Sequence, residues 1–257
     1  MHTVFTMKRF AAFLVYGFAV AAFATIFMGT VLGYFNGTEI TKLRFWSYLV
    51  SGYVTALWIV FGTSWYWSPW RVVWRQVPVL NGLLFPDLNG VWMGATKSNW
   101  PIVKALRESA ASIEAANIEA LRDMELLEGE IAIEVRASLF AISVTSKVGQ
   151  TQGDSFSLTA GLLKCPPGDF LLSYVYQQNT PEPAGTDESV HVGAALLKVI
   201  RGVPFRMEGE YWTRRKWREG LNTAGRIAVQ KCSERHLPDG ADLLEYGRQQ
   251  AQKPAVA

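Results

Sequence analysis

The chain has 257 residues, of which 49% are hydrophobic and 18% charged, and its formal net charge is +3. So small a positive balance excludes direct DNA or RNA binding by massed phosphate neutralisation, which needs a dense basic face. Two cysteines, Cys165 and Cys232, exclude a disulfide framework and suit a reducing compartment.

In chain order, the first elements are two apolar stretches, Phe10–Phe35 and Phe45–Trp67. Each exceeds the roughly 20 residues an α-helix needs to cross the hydrocarbon core, so both are predicted transmembrane helices in a membrane domain over 1–75. Trp65, Tyr66, Trp67, Trp70 and Trp74 crowd the end of the second and fit an interfacial belt. A cleaved signal peptide fits less well, because apolar residues run on through Ile26, Phe27, Met28, Val31 and Leu32, past an ordinary signal core. Lys8, Arg9, Arg71 and Arg75 flank the pair, against Lys42 and Arg44 in the connecting loop. The positive-inside rule therefore predicts a multi-pass protein of a bacterial inner membrane, with both termini and the soluble domain cytoplasmic.

Residues 76–87 form a connector bracketed by Pro78 and Pro86, which argue against one continuous helix. A domain over 88–232 follows. Its strands are predicted at 88–96, 130–136, 139–146, 155–163, 170–177, 190–200, 205–213 and 225–231, from period-two alternation and turn signals such as Pro166-Pro167-Gly168-Asp169. Between the first two lies an inserted amphipathic helix over about 101–128, with Pro101 at its start and Gly129 at its stop. The polar tail 233–257 carries one short helix around 241–250. The fold class is thus two N-terminal transmembrane helices plus an all-β domain. The strands alone allow an antiparallel sandwich or an up-and-down barrel, and the expected form is an eight-stranded antiparallel lipocalin-like barrel, of the size that holds one small ligand.

No catalytic constellation stands out. His2, His191 and His236 have no metal-ligand spacing, and neither a phosphate loop nor a nucleophile elbow is present. No residue set in the chain supports catalysis, so it is not read as an enzyme, though the absence of motifs does not exclude one. Strand phase supplies the candidate site. On the seventh strand Arg206, Glu208, Glu210 and Arg214 require water, so Tyr211, Thr213 and Arg215 point inward. The Arg214-Arg215 pair leaves the register of that arginine open by one residue. The same logic turns His191 inward on the sixth strand and Tyr174 with Tyr176 on the fifth, with Ser155 and Ser157 as additions. Near the start of the barrel, Trp92 resembles the base-plugging tryptophan of lipocalin-like barrels, with Arg226 as the arginine that covers its ring.

The two apolar spans followed by Leu88-Asn89-Gly90-Val91-Trp92-Met93-Gly94 resemble the CD-NTase-associated membrane effectors of CBASS anti-phage systems, the SMODS-associated two-transmembrane, β-strand-rich family. Leu172-Ser173-Tyr174-Val175-Tyr176, His191-Val192-Gly193, Glu208-Gly209-Glu210-Tyr211-Trp212-Thr213-Arg214-Arg215 and Gly225-Arg226-Ile227 carry the resemblance along nearly the whole chain. Two features depart from it: the insertion 101–128 is long, and Arg136-Ala137-Ser138 stands where the family tends to show Gln-Thr-Trp. The resemblance implies that a partner nucleotidyltransferase makes a cyclic dinucleotide, that the barrel binds it, and that homo-oligomers then disrupt the inner membrane and kill the infected cell. No metal or further cofactor is implied. Tyrosines 174, 176 and 211 suit base stacking and Arg215 a phosphate. The rival reading is a membrane-tethered carrier of an apolar ligand such as a fatty acid; a barrel enzyme and a filled scaffold are further alternatives.

Overall fold

The computed structural model describes residues 85–253 except 113–114, 139–140, 151–152, 166–167 and 203, and, before them, only 15–23, 26–27, 30, 44–54, 71 and 76. The chain divides into two compact units, one built chiefly from 3–79 and the other from the residues that follow. In the first, 15–23 and 44–54 are helical, and the Phe18 and Tyr53 rings meet edge-on at 5.3 Å. Among the described residues no helix is long and apolar enough to cross a membrane. Most of the two predicted spans, 10–35 and 45–67, lies outside the described residues.

The second unit is a barrel. Its strands are β1 (Gly90–Ser98), β2 (Leu127–Ala137), β3 (Ile142–Val148), β4 (Asp154–Cys165), β5 (Asp169–Asn179), β6 (Val190–Ile200), β7 (Arg206–Arg214) and β8 (Ala224–Ser233). Every neighbour in sequence is a neighbour in space, all pairs are antiparallel, and β8 returns to β1, so the sheet closes without an edge. The expected eight-stranded antiparallel barrel is therefore present. Alternation along β6 is complete: His191, Gly193, Ala195, Leu197 and Val199 are buried, and their neighbours are not. The apolar inward residues of β1, β2, β3, β5, β6 and β7, including Trp92, Ile133, Val144, Leu172, Leu197 and Met207, fill one half of the lumen as its core.

Trp92 closes that half. Its indole donates to the Leu88 carbonyl at 3.0 Å, and Phe205 packs edge-on at 6.1 Å. Beside it, the Asn89 side chain extends the β1–β2 ladder past its end. Its carbonyl oxygen accepts from the Ala137 amide at 2.8 Å, and its amide donates to the Ala137 carbonyl at 2.9 Å. The cation over the Trp92 ring is Lys231, 5.8 Å from the centroid, and not Arg226 as the sequence reading expected. Arg226 pairs with Lys97 and sits exposed on the outer wall, whereas Lys231 lies directly opposite Trp92. A bulge between Val91 and Trp92 sets that register.

The expected single helix over 101–128 is two: α1 (Trp100–Ser112) and α2 (Ile118–Arg122). Asn117 begins the second, its side chain accepting from the amides of Glu119 at 3.0 Å and Ala120 at 3.2 Å. The tail holds α3 (Leu243–Ala251), capped by Asp242 and laid on the outer wall through Leu243 and Leu244 against Val91 and Ala132. Lys147 meets Asp242 at 2.6 Å and Arg248 meets Glu130 at 2.8 Å. A buried outward carboxylate, Glu134, ties down the segment before α3. It pairs with Arg136 at 2.9 Å, accepts from the Leu237 amide at 2.9 Å and faces His236 at 3.4 Å. Burial works to raise its pKa, but the bonds from His236, Arg136 and Leu237 outweigh that and hold the carboxyl below its ordinary range.

Candidate functional site

The half of the lumen opposite Trp92 is open, forming a cavity of about 260 Å³. Tyr174, Tyr176, His191, Tyr211, Thr213 and Arg215 all line it, and so does Ser155. They meet because inward positions near the same ends of β4 to β7 are brought level by the ladders. Tyr176 lies opposite Gly193, and Gly193 opposite Thr213; Ala195 lies opposite both Tyr174 and Tyr211. Gly193 is what lets Tyr176 lie flat. A Cβ there would stand 2.4 Å from the Tyr176 Cζ, closer than any real contact.

Ser157 is not in the cavity. It pairs with Tyr176 in the inward phase of Ser155, and the bulge that follows, between Ser157 and Thr159, shifts the phase of β4 only beyond it, so that Ala160 and Leu162 turn inward further along. The Ser157 hydroxyl accepts instead from the Val144 amide at 2.9 Å. It thereby bridges β3 and β4 where their ladder, only Thr145–Lys147 against Asp154–Phe156, has run out.

The phenols are neutral at physiological pH. Burial raises the pKa of Tyr174, of Tyr176 (with Tyr174 and Tyr211 adding to it) and of Tyr211. Tyr174 and Tyr176 tilt toward each other at 5.9 Å, and Ser98 hydrogen-bonds to Tyr211. Hydroxyls pair between neighbouring strands: Ser146 on β3 with Ser155 on β4 at 2.6 Å, and Thr213 on β7 with Thr223, just before β8, at 3.0 Å. His191 is buried, its Nδ1 has no hydrogen-bond partner, and the nearest carboxylate oxygen, on Asp187, is 3.9 Å away. Burial lowers its pKa, Asp187 opposing and Arg215 reinforcing that shift, so the ring is neutral at pH 7.

Arg215, not Arg214, is the inward arginine. Its guanidinium lies 5.0 Å from the centroid of the Trp100 ring at the start of α1 and 3.4 Å from the Asp187 carboxylate. Its Nε donates to the Leu221 carbonyl only at 3.5 Å. Arg214 points outward, over Trp217. Cation, indole and three neutral phenols make a surface that can stack flat rings and hold a small number of negative charges. Among the described residues no group of three or more His, Cys, Asp or Glu could hold a metal ion.

Sequence reasoning missed Trp100, Ser146, Thr223 and Asp187. Ser146 and Thr223 were discoverable by extending strand phase into β3 and to the entry of β8. Trp100 and Asp187 belong to no strand, and nothing in their local sequence marks them as inward.

The chain is 27% identical over 180 residues to CD-NTase-associated protein 15 of Escherichia albertii, covering 69% of this chain and 76% of that protein. This likeness bears out the resemblance to CD-NTase-associated proteins that the sequence motifs carry. No family model matches the chain, and no solved structure matches it.

Proposed function

We propose that this chain is the effector of a CBASS anti-phage system, whose barrel receives a cyclic dinucleotide made by a partner nucleotidyltransferase. Binding favours self-association, and the two N-terminal apolar segments, as transmembrane helices of the inner membrane, then breach it and kill the infected cell before phage matures. The protein is a receptor and not an enzyme, and its role needs no metal. The likeness to a CD-NTase-associated protein supports the link to a nucleotidyltransferase signal.

The observation that carries the reading is Arg215, held inside the barrel on the Trp100 ring beside three uncharged tyrosines. A carrier of purely apolar ligands gains nothing from a desolvated guanidinium, whereas a phosphate recovers its cost through charge-assisted hydrogen bonds. Tyr174, Tyr176 and Tyr211 offer faces to bases, at roughly 1–3 kcal/mol per stacked base. The neutral His191, with an unpartnered Nδ1, Ser155 and Thr213 supply polar contacts. Because only differential affinity shifts an equilibrium, the ligand must bind the associated state more tightly than the monomer.

The test is thermal unfolding of the full chain in detergent against a panel of cyclic dinucleotides and trinucleotides. A ligand that binds only the folded state raises the midpoint. We expect a selective rise for a cyclic dinucleotide, abolished in Arg215→Met and Tyr211→Ala. A rise with a fatty acid alone would replace the sensor with a carrier.

A further inference from the structure

The loop between β5 and β6, residues 180–189, crosses the cavity mouth, and Ala184, Thr186 and Asp187 line the cavity. Its base is closed, because Thr180 donates its amide to the Ser189 carbonyl at 2.8 Å just beyond the Asn179–Val190 pair. Residues 181–185 are exposed, and in the stretch 181–189 only Asp187 is buried. Aspartate is among the side chains least often buried unless paired, so this burial requires a partner. Its partner is Arg215 at 3.4 Å, and Asp187 is the one carboxylate in ion-pair range of that guanidinium among the described residues. A second cation grips the same strap from outside: Lys216, in a left-handed backbone conformation at φ 38°, donates its ammonium to the Gly185 carbonyl.

We infer that Asp187 is a resident anion standing where a ligand phosphate belongs, so that a phosphate-bearing ligand binds by exchanging with it and unlatching the 180–189 strap. The inference rests on the ligand being anionic, as proposed above. Two unit negative charges cannot share one guanidinium at contact distance in a desolvated site without strong repulsion. Displacement is also a matter of room. The cavity of about 260 Å³ falls below the range of roughly 300–1,000 Å³ common for small-molecule sites, and the strap forms part of its wall. Meanwhile the pair solves a problem for the empty protein, which would otherwise keep an uncompensated arginine side chain only 14% exposed. Asp187 therefore makes binding conditional. A neutral ligand leaves the pair and the strap in place, while an anion must release both. Freed, the strap changes the outline of the barrel mouth, which is where an occupied barrel differs from an empty one.

The experiment uses the full chain in detergent, as wild type, Asp187→Asn and Asp187→Glu. The amide keeps the oxygen that accepts from the Glu188 amide at 2.9 Å and removes only the charge. For whichever cyclic dinucleotide stabilises the wild type, D187N should bind roughly tenfold more tightly, whatever bases the ligand carries, because the competing anion is gone. D187E should stay near the wild type. Amide hydrogen exchange over 182–188, without ligand, should be faster in D187N than in the wild type, and ligand should speed it in the wild type. Weaker binding by D187N, confined to one base, would overturn the inference and make Asp187 a base-reading contact. Equal tightening in D187E would overturn it too, since charge would not be the cause. If no cyclic nucleotide binds the wild type, the sensor reading fails by itself. Exchange of the strap, with inorganic pyrophosphate as probe, still decides the latch: unchanged exchange in D187N refutes it.

Discussion

Replacing Arg215 by methionine keeps an unbranched apolar stem against Trp100 and removes the charge. Its partner Asp187, 7% exposed, is then left without a counter-ion. Stranding one member of a fully buried pair costs about 3–5 kcal/mol. This pair faces a cavity rather than solid core, so the carboxylate has room to relax, and about 2 kcal/mol is the better figure. For a chain of this size each kcal/mol moves the midpoint by roughly 2–4 °C, so R215M should melt about 4–8 °C below the wild type. D187N leaves a guanidinium that cannot lose its proton and should fall by a similar amount. The double variant strands no charge and should lie well above the sum of the two losses, with a coupling of about 1.5–2 kcal/mol. Thermal unfolding of the full chain in detergent, at low and high salt, measures all four corners of the cycle. Strictly additive losses would refute the claim that Asp187 and Arg215 hold each other in place.

Further outcomes follow from the same geometry. His191 has a folded-state pKa below the ordinary histidine value of 6.5, so the unfolded chain binds the proton more readily. Its contribution to stability is present above that value and lost as pH falls from there through the lower folded-state pKa; His191→Gln should flatten this part of a midpoint-against-pH curve measured between pH 5 and 8. Gly193→Ala pushes a methyl into the Tyr176 ring and should cost about 1–3 kcal/mol, and near-UV circular dichroism should report the displaced tyrosine. Glu134→Ala strands Arg136, His236 and the Leu237 amide, at about 1–3 kcal/mol. Limited proteolysis should then remove the segment from Leu237 onward. The carboxylate's lowered pKa makes that anchor fully effective above the ordinary glutamate value of 4.5 and lost as pH falls from there through the lower folded-state pKa.

Much of the barrel was legible because a strand has a period of two. Charges on Arg206, Glu208, Glu210 and Arg214 forced the other face of β7 inward, and the burial of Met207 with the cavity positions of Tyr211, Thr213 and Arg215 obeys that constraint. One flank of polar residues in the sequence was enough to orient three site residues. What removed Ser157 from the site was not phase: it pairs with Tyr176 in the phase of Ser155, but its hydroxyl is taken by the Val144 amide, a contact with no local signature. For the Trp92 ring the same rule separates the two cations of β8, Arg226 lying in the outward phase and Lys231 in the inward phase of Ile227 and Val229. The bulged register of β8 against β1 then puts Lys231 opposite the indole.

By itself, then, the sequence determined the strand count, the antiparallel order, the inward set on β5 to β7 and the likeness to CD-NTase-associated proteins, since each is written in local periodicity or in short motifs. Tertiary structure alone decided what caps the cavity and what balances its charge. Trp100 begins a helix and Asp187 sits in a polar strap, where no periodicity assigns an inside. They meet because barrel closure brings both to the guanidinium of Arg215, and a desolvated cation must find an anion from wherever the chain can supply one.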